Sequence, residues 1–213
     1  MYKYLLFDLD GTLTDPGLGI TNSVMYALRK FGIDVTDRTT LYKFIGPPLR
    51  ESFETFYGFS KEKTDEAVKF YREYFSETGL YENVVCDGIP EVLKELKESG
   101  RKLIAATSKP EVFAVKIMKH FDLYDSFDLV AGATMDNTRN EKADVIKYAL
   151  ESVGVSDTSS AIMIGDRKHD IIGANANGIA SIGVLYGYGS REELTEAGAA
   201  FIAETPADIL KYV

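Results

Sequence analysis

Short apolar runs bounded by turn residues recur along the chain, at Tyr4–Phe7, Leu103–Ala106, Leu129–Ala131, Ala161–Ile164 and Ile182–Leu185. Their length and flanks suit strands buried on both faces of a parallel sheet better than helices. Helical patterns fill the intervals after residue 84. In "GIPEVLKELKESG", Pro90 fits the first helical turn, Val92, Leu93 and Leu96 share a face, and Gly100 closes the helix. "SREEL" sets Ser190 and Glu193 at capping-box spacing. Alternation of strand and helix restricts this part of the chain to the α/β class, as a doubly wound parallel sheet.

Residues 16–83 follow another rule. They show no convincing strand but successive helical faces: Ile20, Val24 and Leu28, then Leu49, Phe53 and Phe56, then Ala67, Val68, Tyr71, Tyr74 and Phe75. A stiff "GPP" loop at Gly46–Pro48 interrupts them. The expected organisation is an α/β core from residues 1–15 and 84–213, carrying an all-helical insert over 16–83. At 213 residues, 45% of them hydrophobic, the chain can fill one large core plus a smaller insert.

Composition narrows the function classes. Acids outnumber Lys and Arg, 33 to 24, for a formal net charge of −9. Binding to nucleic acid or to an anionic membrane, which needs clustered cations, is disfavoured. An anionic substrate would need a local cation. No run approaches the length of a membrane span, and Asp8 and Asp10 come too early for a secretory leader. The single cysteine, Cys86, allows no intramolecular disulfide, so a reducing cytoplasm is the expected setting and a small buried hydrophobe the expected role.

In open α/β sheets ligands bind at the carboxyl ends of the strands. The first run ends in Asp8-Leu9-Asp10-Gly11-Thr12, the second in Thr107-Ser108-Lys109, and the fourth in Gly165-Asp166, with Asp170 four residues on. Lys142 opens the helical pattern that follows the third. Each has a plain explanation: a strand-ending DG turn, helix capping ahead of Pro110, acids complementing a helix dipole, a solvated lysine. None of these explains why all gather on one rim. Residues i and i+2 of a strand lean the same way, so Asp8 and Asp10 repel each other where desolvation already opposes both. A carboxylate cluster without thiolates suits a hard cation such as Mg²⁺, and hydroxyls, loop amides and a lysine suit a phosphate.

"FDLDGTLTD", "ATSK", Lys142 and "GDRKHD" resemble the four ordered motifs of the haloacid dehalogenase (HAD) phosphatase superfamily. The resemblance spans the chain, and the insert matches the small helical cap of the phosphoglycolate-phosphatase-like branch. "IGPPL" and "GVLYGYGSREEL" are similar to a bacterial 5′-nucleotidase-like subgroup. The resemblance implies a Rossmann-like core and a Mg²⁺-dependent phosphomonoester hydrolase that acts through an aspartyl-phosphate. Asp8 would be the nucleophile and Asp10 the acid and base. Asp8, the main-chain carbonyl of Asp10, and Asp166 would hold Mg²⁺. Thr107, the Ser108 amide and Lys142 would bind the phosphoryl group, and Asp170 would orient Lys142 or a metal-bound water. Lys109 is a rival for the cation role but is expected to make nearby polar contacts or face solvent.

Dehalogenases lack the second acid of the first motif, so Asp10 favours phosphoester chemistry. Sugar phosphomutases of the branch usually carry a His after that motif, and "PGLGITNSVMYALRK" has none, so hydrolysis is preferred over mutase activity. A phosphate- or nucleotide-binding protein without turnover is the remaining alternative. The expected partner is a small phosphomonoester, either a nucleoside 5′-monophosphate or a phosphoglycolate-like compound. Monomer and homodimer both stay open. In the insert, Arg50 could meet a polar or anionic group of the substrate or simply be a solvated helix arginine.

Overall fold

The computed structural model describes residues 2–136 and 138–213. The chain separates into two units, Met1–Asp15 with Val85–Val213, and Pro16–Val84.

The first unit is built on a parallel sheet of β1 (Tyr4–Phe7), β2 (Lys102–Pro110), β3 (Leu129–Ala133), β4 (Ala161–Gly165), β5 (Ala180–Val184) and β6 (Phe201–Ala203), in the order β3-β2-β1-β4-β5-β6. β1 is central, with Leu5 in register with Leu103 on one side and Ile162 on the other. Leu5, Leu6 and Phe7 are fully buried, which is why the strand reads as an unbroken apolar run rather than an alternating one. Leu6, Ile104, Ala106, Ala131 and Met163 pack with Val145, Ile146 and Ala149 of α6 (Lys142–Ser152) on one face. α4 (Ile89–Glu98), α5 (Glu111–His120), α7 (Lys168–Ala176) and α8 (Arg191–Glu196) provide the remaining helices. The doubly wound architecture expected from the alternation is present. Strand order reverses between β1 and β4, and in such sheets the crevice beyond the strand ends at the reversal is where ligands bind.

Local differences have local causes. β2 runs past Ala106 to Pro110 because its ladder with β3 continues through an irregularity between Thr107 and Pro110. Thr107 therefore caps no helix; its Oγ1 accepts from the Lys109 amide at 3.2 Å. Ser190 does accept from the Glu193 amide, but the Glu193 carboxylate reaches Arg167 and the Lys168 amide, each at 2.9 Å, instead of closing a capping box. β6 escapes a sequence reading because three residues at a sheet edge carry no periodicity.

The second unit holds α1 (Gly17–Arg29), α2 (Leu49–Tyr57) and α3 (Lys61–Tyr74), with a 3₁₀ segment over Arg38–Phe44 and a π turn over Phe75–Gly79. α1 packs on α3, with Ile20, Val24 and Leu28 buried on the one and Ala67, Val68 and Tyr71 on the other. Phe53 is the fully buried anchor of α2 and meets Phe44 and Phe59 at ring-centroid distances of 5.2 and 5.9 Å. Gly58, at φ 63°, closes α2 in the left-handed conformation that favours glycine at a helix end.

Candidate active site

β1 delivers Asp8 to the switch point. Its amide donates to the Ile164 carbonyl of β4 at 2.9 Å, and its side chain is almost wholly buried. The first residue of α6, Lys142, is also buried and points its ammonium at three acceptors: Asp8 Oδ1 at 2.8 Å, Asp170 Oδ1 at 2.6 Å and the Ala106 carbonyl of β2 at 3.0 Å. Those three acceptors use the three protons of an ammonium group. Burial alone would lower the Lys142 pKa, but the Asp170 and Asp8 carboxylates outweigh it and raise the value above the ordinary lysine range. The lysine is a fixed cation, not a solvated one.

Asp10 takes a different partner. Its Oδ2 lies 2.7 Å from Lys109 Nζ, and Lys109 is buried rather than facing solvent. Burial raises the Asp10 pKa, and Lys109 opposes the rise. Asp10 Oδ1 is buried without a hydrogen-bond partner among the described residues. The two carboxylates of the first motif thus sit beside two different lysines. Of the two expectations for Lys109, nearby polar contacts and solvent, the first describes its place, though its partner Asp10 is not named by the sequence.

Asp166 follows β4 and is fully buried. Its Oδ2 accepts from the Tyr188 amide at 2.7 Å, and Thr12 Oγ1 stands 3.4 Å from its Oδ1. Burial, then the neighbouring Asp170 and Asp8 charges, hold its pKa well above the usual carboxylate range. Gly11 lets the first-motif loop pass this side chain: it has φ +84°, and a Cβ there would fall 2.3 Å from Asp166 Oδ2. Asp170, at the third position of α7, accepts from the Arg167 amide at 3.0 Å as well as pairing with Lys142, and burial pushes it up to about 6. It combines the helix-terminal role with contact to the lysine. Thr107 is buried and Ser108 half-buried at the end of β2.

The site is suited to a divalent cation. Asp8, Asp166 and Asp170 each offer an oxygen within 4.8 Å of the others, and all three are buried. Four buried or largely buried carboxylates (Asp8, Asp10, Asp166, Asp170) face two lysines (Lys109, Lys142), so full ionisation leaves two negative charges without a counterion. Oxygen donors alone suit Mg²⁺.

Arg50 belongs to the second unit. It lies in the first turn of α2, about half exposed, and pairs with Asp65 of α3. Cys86 is half-buried, and burial together with the nearby Asp15 and Asp166 charges pushes its thiol up to about 12.

Residues 5–184 match the family model of the haloacid dehalogenase-like hydrolases. The chain belongs to that family. It is 51% identical over 193 residues to a 5′-nucleotidase of Pseudomonas aeruginosa, covering 91% of this chain and 87% of that protein. It is 36% identical to the tyrosine-protein kinase PtkA of Mycobacterium tuberculosis, over 94% of this chain and 68% of the relative. The crystal structure of a predicted phosphatase from Clostridium acetobutylicum superposes with a TM-score of 0.96 at 49% identity, covering 100% of this chain and 98% of the other. No helix among the described residues is long and apolar enough to cross a membrane.

Proposed function

We propose that this HAD-family phosphatase hydrolyses small phosphomonoesters through an aspartyl-phosphate on Asp8, with nucleoside 5′-monophosphates as the preferred class. The observation that carries the mechanism is the separation of the two first-motif carboxylates: Asp8 beside Lys142, Asp10 beside Lys109 with one oxygen left without a hydrogen-bond partner among the described residues. Asp8 attacks phosphorus, forming an Asp8 O–P bond as the ester P–O bond breaks, and Asp10 passes its proton to the leaving alkoxide. Asp10 then takes a proton from water as the water oxygen bonds to phosphorus. The Asp8 O–P bond breaks and orthophosphate leaves. Lys142 and the Thr107 hydroxyl, whose proton is not engaged among the described residues, stabilise the phosphoryl oxygens with the Ser108 amide. Asp170 holds Lys142 in place. Mg²⁺, held by Asp8, the Asp10 main-chain carbonyl and Asp166, would offset the repulsion between carboxylate and phosphate.

The buried Lys109–Asp10 contact makes a leaving-group test informative. Replacing Lys109 with Met should lower kcat/KM for alkyl phosphates by about 10- to 100-fold, a part of what general acid catalysis contributes. p-Nitrophenyl phosphate, whose leaving group needs no proton, should lose much less. Equal losses on both would remove Lys109 from the proton-transfer step.

Substrate class rests on the 5′-nucleotidase relative and on "IGPPL" in the insert, which we read as a substrate-selecting cap. Its Arg50 is a candidate contact to the substrate. Phosphate release with Mg²⁺, measured across nucleoside monophosphates, phosphoglycolate and sugar phosphates, should give the highest kcat/KM on a nucleotide. A clear phosphoglycolate preference would move the enzyme to the other substrate class. The setting is cytoplasmic in this reading, supported by the single cysteine.

A further inference from the structure

Asp166 is packed against a turn that the chemistry above does not use. Tyr188, between Gly187 and Gly189, gives its amide to Asp166 Oδ2 at 2.7 Å. Tyr186, at the start of the turn, donates its hydroxyl to the Thr12 carbonyl at 3.2 Å, and the Tyr188 hydroxyl reaches Asp15. The turn is thereby tied back to the loop that carries Asp8 and Asp10. The two glycines are required by space. A Cβ on Gly187 would stand 2.3 Å from the Gly11 carbonyl and 2.4 Å from Asp166 Cβ, and one on Gly189 would stand 1.9 Å from the Asp166 carbonyl. The backbones of Gly11 and Gly187 thus both lie against the Asp166 side chain, next to one another.

We propose that the Tyr186–Gly189 turn is a positioning device for the metal site, fixing the rotamer of the Asp166 carboxylate through the Tyr188 amide while Tyr186 anchors the turn to the first-motif loop. A buried carboxylate with one strong donor and one long contact is free to rotate if the donor moves. Oδ2 is held by the 2.7 Å amide, and the Thr12 contact to Oδ1, at 3.4 Å, is too long to hold it alone. Groups that orient a metal ligand from outside typically change metal affinity by 10- to 100-fold, because the ligand must otherwise be ordered when the ion binds. The glycines and Tyr186 act through Asp166 and touch no reacting atom.

The inference rests on reading Asp166 as a metal ligand, and the test separates the two. Mg²⁺ binding to the full chain is measured by calorimetry, alongside kcat and KM for p-nitrophenyl phosphate as a function of Mg²⁺. Gly189→Ala should weaken Mg²⁺ binding by about 10- to 100-fold. Tyr186→Phe, which keeps the fold and the Tyr188 amide but loses the anchor, should weaken it by about 3- to 10-fold. In both, excess Mg²⁺ should restore kcat with substrate KM unchanged, which a general packing defect would not allow. Unchanged Mg²⁺ affinity in Tyr186→Phe and in Gly189→Ala overturns the positioning role, and if the glycine variant does not fold, Tyr186→Phe decides alone. Wild-type Mg²⁺ affinity in Asp166→Asn would instead overturn the metal-ligand reading beneath it.

Discussion

Replacing Asp8 with Asn should abolish turnover, with kcat falling by about 10⁴-fold or more, since no other group can form the covalent intermediate. The substitution keeps shape and removes one negative charge. Stability should respond very differently from activity. The variant loses a contact with Lys142, which retains Asp170 and the Ala106 carbonyl, and gains relief from repulsion with Asp166 and Asp170. These effects oppose each other, so a net change within about 1 kcal/mol, or roughly 2–4 °C in Tm, is expected for a chain of this size. Circular dichroism and thermal melts alongside a phosphate-release assay check both halves. An inactive protein that melts near the wild type fits a nucleophile; a large fall in Tm would make Asp8 a structural residue first.

Lys142→Met should be damaging in both respects. It leaves Asp8 and Asp170 adjacent and buried without their shared cation. Removing one partner from a buried ion pair costs about 3–5 kcal/mol, which corresponds to a fall in Tm of roughly 6–20 °C. Activity should fall by about 10²- to 10³-fold through loss of charge stabilisation at the phosphoryl group. The pH dependence is specific. Lys142 is raised above its unfolded value, so its contribution is fully present below about pH 10.4 and is lost only as pH rises through the higher folded value. Asp170 is raised as well, so its ionisation costs stability above about 6 and that cost disappears as pH falls towards the unfolded value. The Tm gap between wild type and Lys142→Met should therefore be steady from neutrality to about pH 10 and narrow on the acid side. A gap that widens on acidification would contradict the pairing. The melts should be run with a chelator, so that a bound ion does not mask the carboxylates.

Much of this arrangement is legible in the residues, and the illegible part has identifiable causes. β1 through β5 announce themselves as apolar runs because parallel strands are buried on both faces, and the strand-end rule then gathers Asp8, Asp10, Thr107, Lys142 and Asp166 on one rim from the sequence alone. Lys109 is harder. A lysine next to a strand end normally faces water, whereas this one, in the irregular stretch where β2 pairs with β3, is buried against Asp10. The Tyr186–Gly189 turn lies within "GVLYGYGSREEL", legible only as a family likeness; its role stays hidden because it depends on a contact across 22 residues of sequence, between Tyr188 and Asp166, made by a backbone amide that no side-chain identity reveals. β6 is too short to show a period. Arg50 reads from sequence either as a cation that meets the substrate or as a solvated helix arginine, and neither reading contains its partner in the folded insert, Asp65.

The central claim is that Asp8 becomes covalently phosphorylated, and trapping tests it most directly. In Asp10→Asn, p-nitrophenyl phosphate should still phosphorylate Asp8, because its leaving group needs no proton, while hydrolysis of the intermediate slows for want of a base. Acid quench during turnover, borohydride reduction of the acyl phosphate and peptide mass spectrometry then locate the modified residue. The modification should appear at Asp8, depend on substrate and Mg²⁺, and reach a substantial fraction of the enzyme. Full release of p-nitrophenol with Asp8 unmodified throughout, or with the label on another residue, would contradict the account.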